Sequence, residues 1–273
     1  MIIDFHTHIF PPNVRDNRGE YVRRDPTFAE MYGDPKAKIA TAEDLRRSME
    51  ASGVDVSVAL GFGWQSHEDV VRHNRYLLDI ATRSDGAIIP FATINMADAR
   101  AAAEIERCAA GGVRGIGELR PDNQGWDLLG AAGERLAALA RAHGLLLLFH
   151  VTEPGGRGYP GRHGCAMDRF AEFARRNSDI RMIGAHLGGG LHTHDGAAPD
   201  IHVDTAAQPF LYRGEKGEQV MRAVPPGRLL FGSDYPLISQ QRQIDEIARV
   251  FPDDSERDAV LGGNAARLLG LGG

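Results

Sequence analysis

Short runs rich in Ile, Val, Leu and Phe recur eight times along the chain, at residues 2–6, 56–62, 88–94, 113–119, 145–151, 182–186, 201–204 and 229–231. The segments between them carry helical spacing. Leu45 and Met49 form an i, i+4 pair, with Thr41 placed as an N-cap and Gly53 as a stop. Val70, Asn74, Leu77 and Ala81 step around a second helix, and Leu128, Leu136, Leu139 and Ala140 support a third. Apolar strands alternating with helices imply a parallel sheet covered on both faces. Eight such repeats in 273 residues predict an α/β chain closed into a (β/α)8 TIM barrel, a fold that typically takes about 250 residues. The competing doubly wound fold opens with a glycine-rich phosphate turn after its first strand. Here that turn reads His-Thr-His-Ile-Phe-Pro-Pro. No linker rich in Pro, Gly or Ser divides the chain, so residues 1–273 are expected to form one barrel domain.

One connection breaks the rhythm. The first strand is expected to end near His8 and its helix to begin near Thr41, leaving roughly thirty residues where a βα loop has about 2–6. The stretch holds Phe10, Tyr21, Phe28, Met31 and Tyr32. It is either a surface excursion packed on itself or a lid over the barrel mouth, because long inserts on that face often enclose substrate.

Composition narrows the function classes. The chain is 42% hydrophobic and 25% charged with a net charge of −6, which removes the usual electrostatic ground for nucleic-acid binding. The longest apolar run, residues 145–149, falls far short of the roughly 20 needed to cross a bilayer, and no secretion signal fits the N-terminus. A cytoplasmic protein acting on a small molecule is therefore expected, with no membrane and no nucleic-acid partner. Cys108 and Cys165 are far apart without a CxxC pattern and read as free thiols, with a single disulfide between them as the alternative.

The eleven histidines are more telling, because several end apolar strands. His6 and His8 lie at i and i+2 at the end of the first strand, where period-two geometry turns both imidazoles to one face. The fifth strand ends in His150, the sixth in His186 and the eighth in Asp234. Any one of these alone is more often a core residue hydrogen-bonded to a carbonyl. In a barrel, however, all the strand ends open on the active-site face. His and Asp converging there suit Zn2+ or a similar divalent ion. Glu118, ending the fourth strand, is a sixth candidate that could bridge two ions, or else pair with Arg120.

These stretches also carry a resemblance. Residues 4–8 (Asp-Phe-His-Thr-His), 31–38, 53–55, 186–189 (His-Leu-Gly-Gly), 231–236 (Phe-Gly-Ser-Asp-Tyr-Pro) and 263–269 resemble, in order, the amidohydrolase superfamily, in its branch related to aminocarboxymuconate-semialdehyde decarboxylase. The resemblance implies metal ligation by His6, His8, His150 and Asp234, with Asp234 also handling a proton. It implies that His186 assists catalysis or ligates a second ion. The carboxylated lysine that many two-metal members carry on strand four is missing, and Glu118 resembles the glutamate that replaces it in some; one or two ions are both open. Barrels of this branch are often dimers, so a homodimer is a further expectation.

The reaction expected first is hydrolysis of an amide, ester or lactone by a metal-activated water, with Asp234 and His186 catalytic. Glu118, read as a bridge between two ions, tilts toward it. Non-oxidative decarboxylation of a small unsaturated or aromatic acid is the alternative, and a non-catalytic metal-binding barrel stands third. For substrate contacts, Trp64 after strand two, Arg120 after strand four and Arg157 after strand five are the candidates; the arginines would suit a carboxylate or a phosphate.

Overall fold

Strands form at all eight apolar runs: β1 (Ile3–His8), β2 (Val56–Leu60), β3 (Ile88–Ala92), β4 (Gly115–Leu119), β5 (Leu146–Phe149), β6 (Met182–Gly184), β7 (His202–Asp204) and β8 (Leu229–Leu230). They pair in parallel in chain order. The segment after β8 continues the ladder onto β1: the Phe5 amide donates to the Phe231 carbonyl at 2.7 Å and the His8 amide to the Tyr235 carbonyl at 2.8 Å. The result is the TIM barrel that the alternation implied. This computed structural model describes residues 1–154, 158–193, 201–212 and 215–271.

Alternate strand residues, among them Ile3 and Phe5, Val58 and Leu60, and Leu146 and Leu148, join in one buried cluster. Ala265, Leu268 and Leu269 of the last helix, Asn264–Leu269, belong to the same cluster. The strands' other faces pack against the surrounding helices. In β1 the pairing register shifts between Asp4 and Thr7, where the strand passes from the Phe5 layer to the two histidines; bulges commonly re-aim side chains near active sites in this way.

The helix Ala42–Ser52 begins and ends where expected. The Asp44 carboxylate accepts the Thr41 amide at 2.9 Å, and Gly53 stops the helix with φ of +65°. Leu128, assigned above to a third helix, precedes the helix Ala131–His143 and is not part of it. Among the described residues no helix is long and apolar enough to cross a membrane.

The insertion after β1 folds into three short helices, Pro12–Asp16, Arg18–Arg24 and Pro26–Tyr32. Phe10, Tyr21, Phe28 and Tyr32 are buried in an aromatic layer with Phe62 and Trp64. The Phe28 and Trp64 rings stack at 5.3 Å. Asp25 pins the layer by accepting both the Phe28 and the Gln65 amides at 2.9 Å. The insertion thus packs on itself and on the barrel, and it also supplies Met31, Tyr32, Ala37 and Lys38 to the cavity at the mouth.

His73 lies under this layer with both ring nitrogens committed. Nε2–H donates to the Ile9 carbonyl at 2.7 Å, and Nδ1 accepts the Trp64 indole N–H at 3.0 Å. Burial lowers its pKa to about 4. An unfolded histidine takes a proton near pH 6.5, whereas the folded one stays neutral until about pH 4. Stability from this group is therefore complete above pH 6.5 and falls as pH drops toward 4, by about 3 kcal/mol in all. A proton NMR titration should find His73 neutral at pH 5; a midpoint near 6.5 would contradict this.

Candidate metal centre

At the C-terminal mouth of the barrel His6 and His8 converge, their Nε2 atoms 3.1 Å apart. Asp234 Oδ1 lies 3.4 Å from His8 Nε2 and 3.7 Å from His6 Nε2. Asp234 is not a strand residue, as the sequence suggested. β8 stops at Leu230, and Asp234 adopts left-handed backbone (φ +61°), which is not strand geometry. Such a conformation costs a non-glycine residue on the order of 1 kcal/mol and persists where its surroundings impose it. Here the Asp234 amide donates to the His6 carbonyl at 2.9 Å. Asp4 fixes the preceding residue, accepting the Ser233 hydroxyl at 2.6 Å and its amide at 3.0 Å, and also the Gln240 amide group at 2.9 Å. Burial outweighs these bonds and raises the Asp4 pKa to about 6.

A second triad faces the first. Glu118 Oε1 lies 2.8 Å from His150 Nδ1 and 3.1 Å from His186 Nε2, and 3.8 Å from His6 Nε2 across the gap. All three residues are buried. His186, like Asp234, lies beyond its strand: β6 ends at Gly184, and His186 and Leu187 are left-handed (φ +59° and +57°). A Cβ on Gly164 would come within 2.3 Å of the His150 ring, so only glycine lets that loop press against the imidazole.

The chemistry of the donors fits a divalent cation. The His6 Nδ1–H donates to Asp204 at 2.8 Å and the His186 Nδ1–H to the Ala206 carbonyl at 3.1 Å. Each therefore keeps its Nε2 for the site, His6 toward Asp234 at 3.7 Å and Glu118 at 3.8 Å and His186 toward Glu118 at 3.1 Å, so that a cation, a metal ion or a proton, is required between imidazole nitrogen and carboxylate oxygen. The electrostatics show the same demand for positive charge. Burial opposes a charge on His6, yet Asp204, Glu118 and Asp234 outweigh it and raise its pKa to about 10. Glu118 is held well below the usual carboxylate range against the pull of burial, by His150, His186 and His6. Two groups, His6–His8–Asp234 and Glu118–His150–His186, each place their ligand atoms within 4.8 Å of one another.

Asp204 was not among the sequence candidates. Fully buried at the end of β7, it accepts from the His6 ring through one oxygen and from the His186 and Ala206 amides, both at 3.0 Å, through the other. Its only sequence signal is its place as the last residue of a strand that ends at the mouth.

A cavity of ≈ 210 Å³ opens on both triads, lined also by Tyr32, Phe62, Tyr159 and Phe210 and edged by Lys38. Lys38 falls in the 31–38 stretch that carried the resemblance but was not singled out. Trp64 does not reach this cavity. It is 1% exposed, sandwiched in the aromatic layer with its indole N–H on His73, so its assignment to substrate is corrected. Arg120 does line the cavity, with NH1 and NH2 already bonded to protein groups. Arg157 lies outside the described residues.

A parallel barrel with a histidine–carboxylate metal centre at its C-terminal mouth defines the class. The chain belongs to the amidohydrolase family, whose profile matches residues 3–271. Among solved structures it is similar to 5-carboxyvanillate decarboxylase from Novosphingobium aromaticivorans, complexed with manganese and 4-hydroxy-3-methoxy-5-nitrobenzoic acid (TM-score 0.76, 14% identity, 99% of this chain and 96% of that one). It is similar to 2,6-dihydroxybenzoate decarboxylase from Rhizobium (TM-score 0.74, 14% identity, 100% and 99%). A third is 5-carboxyvanillate decarboxylase from Sphingomonas paucimobilis (TM-score 0.72, 18% identity, 98% and 98%). No curated protein matches the sequence.

These findings correct one expectation and leave another in coarser form. Hydrolysis, placed first on sequence, gives way to decarboxylation, because decarboxylases recur among the barrels that match the whole chain. The bridging role of Glu118 that had favoured hydrolysis meets the guanidinium of Arg120 3.4 Å away. Zinc is likewise not singled out: the centre is one for a divalent metal, and a similar barrel holds manganese.

Proposed function

We propose that the protein is a metal-dependent non-oxidative decarboxylase of a small aromatic or unsaturated carboxylic acid. The observation that carries this is the cavity itself. Its walls are rings and apolar side chains suited to a planar substrate, its edge carries the cation of Lys38, and its floor is the metal centre. The decarboxylase barrels to which the chain is similar support the same reading.

His6, His8 and Asp234, with His186, Glu118 and His150 facing them, would hold a divalent ion such as Mn2+ or Zn2+. When bound it would anchor and polarise the oxygens of the substrate. The chain's own residues do the rest. Tyr32, Phe62 and Phe210 flank the ring and exclude water. Asp234, 15% exposed and turned to the cavity, carries a proton on its carboxyl oxygen to the ring carbon that bears the carboxylate. As the C–H bond forms, the C–C bond breaks. Its electron pair restores the ring π-system, and the carboxylate departs as CO2.

The test is CO2 release from a panel of hydroxybenzoic and dienoic acids by metal-loaded protein. In D2O the product should carry one deuterium at the cleaved position, and a chelator should stop the reaction until metal is returned. A loaded, folded protein that releases no CO2 across the panel overturns the proposal.

A further inference from the structure

We infer that Tyr32 sets the substrate specificity of the site: its phenol O–H, together with the charge of Lys38, receives a second carboxylate, so that the substrate is a diacid. The inference rests on the proposed function, in that a carboxylic acid occupies the cavity above the metal centre. Tyr32 is the last residue of the helix Pro26–Tyr32 and is only 9% exposed. Its ring is fixed by three others, Phe28 at 4.8 Å, Phe10 at 5.3 Å and Phe62 at 5.8 Å. The residue lines the cavity, yet among the described residues nothing hydrogen-bonds its hydroxyl. The other phenol of the cavity, Tyr159, is turned to the Glu153 carboxylate at 3.4 Å. A buried hydroxyl left without a partner is costly once water is displaced, unless the arriving molecule accepts from it.

Two features decide what that molecule must offer. Burial, with the charges of Asp234 and Glu118 added, pushes the Tyr32 pKa up, so the hydroxyl keeps its proton and donates. It therefore calls for an oxygen acceptor. Lys38 sets the charge of that acceptor. Of the two lysine and arginine side chains that line the cavity, Arg120 is committed to His150, Glu118 and two carbonyls, whereas among the described residues nothing pairs with Lys38. Lys38 is exposed, but the turn that carries it is held. Arg18 donates to the carbonyls of Asp34 at 2.9 Å and Ala37 at 2.7 Å, and the Lys36 amide donates to the Asp34 side chain at 2.8 Å. A donor and a cation on fixed supports lose little freedom when an anion arrives. The carboxylate to be lost belongs to the metal centre, which leaves the insertion for a second one. A plain ring edge would strip both groups of water and pair neither, which is how such a site rejects an analogue.

The test is binding, which does not depend on turnover. Calorimetric titration of Mn2+-loaded protein with benzoate and with 1,3- and 1,4-benzenedicarboxylate should show one of the diacids bound at least about tenfold tighter than benzoate, as expected when a charged acceptor meets a buried donor. Tyr32→Phe removes only the hydroxyl and should leave a preference of about two- to fivefold, what an exposed ion pair supplies. Lys38→Met should lower the wild-type preference by about that factor, and Lys38→Arg should keep it. A wild-type protein without the preference, or a Tyr32→Phe variant that retains it in full, overturns the inference and leaves decarboxylation standing. Binding of none of the acids overturns the proposed function as well. Should Tyr32→Phe not fold, the wild-type preference and the Lys38 variants decide.

Discussion

Asp234→Asn is expected to slow CO2 release by about 10²–10⁴-fold, the range that a positioned proton donor contributes. Asparagine has the same shape and keeps an oxygen to offer the metal, but it has no proton to give to carbon. The fold should tolerate it. Residue 234 is left-handed (φ +61°), a conformation that Asn and Asp accept more readily than other side chains, and the amide bond to the His6 carbonyl does not involve the side chain. The measurement is kcat at saturating metal, with bound ion counted in both proteins. A loaded variant within tenfold of wild type would remove Asp234 from proton transfer.

The strands were legible because burial on both faces leaves unbroken apolar runs, and a parallel barrel has no solvent face to interrupt them. Their ends were not. His186 and Asp234 read as the last residues of strands six and eight, yet β6 and β8 stop at Gly184 and Leu230. What turns the chain there is tertiary. The His186 amide is drawn to Asp204, 18 residues away, and the Asp234 amide to His6 at the far end of the sequence. Trp64 failed for a related reason. An aromatic residue after β2 reads alike whether it faces a cavity or an insertion, and contacts with Phe28 and His73 decide it. The HxH motif announced itself by spacing, whereas a single aspartate closing a three-residue strand has no spacing to read. The order of the two reactions was also out of reach, since one ligand set serves both.

That unannounced aspartate should have the second large effect. Asp204→Asn is expected to weaken metal binding by about 10–100-fold, the usual cost of losing the partner that orients a metal-binding imidazole, or about 1.4–2.8 kcal/mol. A carboxylate accepts on both oxygens, and Asp204 uses both: Oδ2 holds the His6 ring N–H while Oδ1 takes the amides of His186 and Ala206. An asparagine accepts on one side only. The two backbone amides cannot become acceptors, so the oxygen stays with them and the NH2 group turns to His6 Nδ1. His6 can answer only by moving its own proton to Nε2, the atom that faces His8 and Asp234. The ligand lone pair is lost although no ligand has been replaced. Calorimetric titration with Mn2+ would show the weaker Kd, and nitrogen NMR of the metal-free variant would find the His6 proton on Nε2. An unchanged Kd would place His6 outside the ligand set.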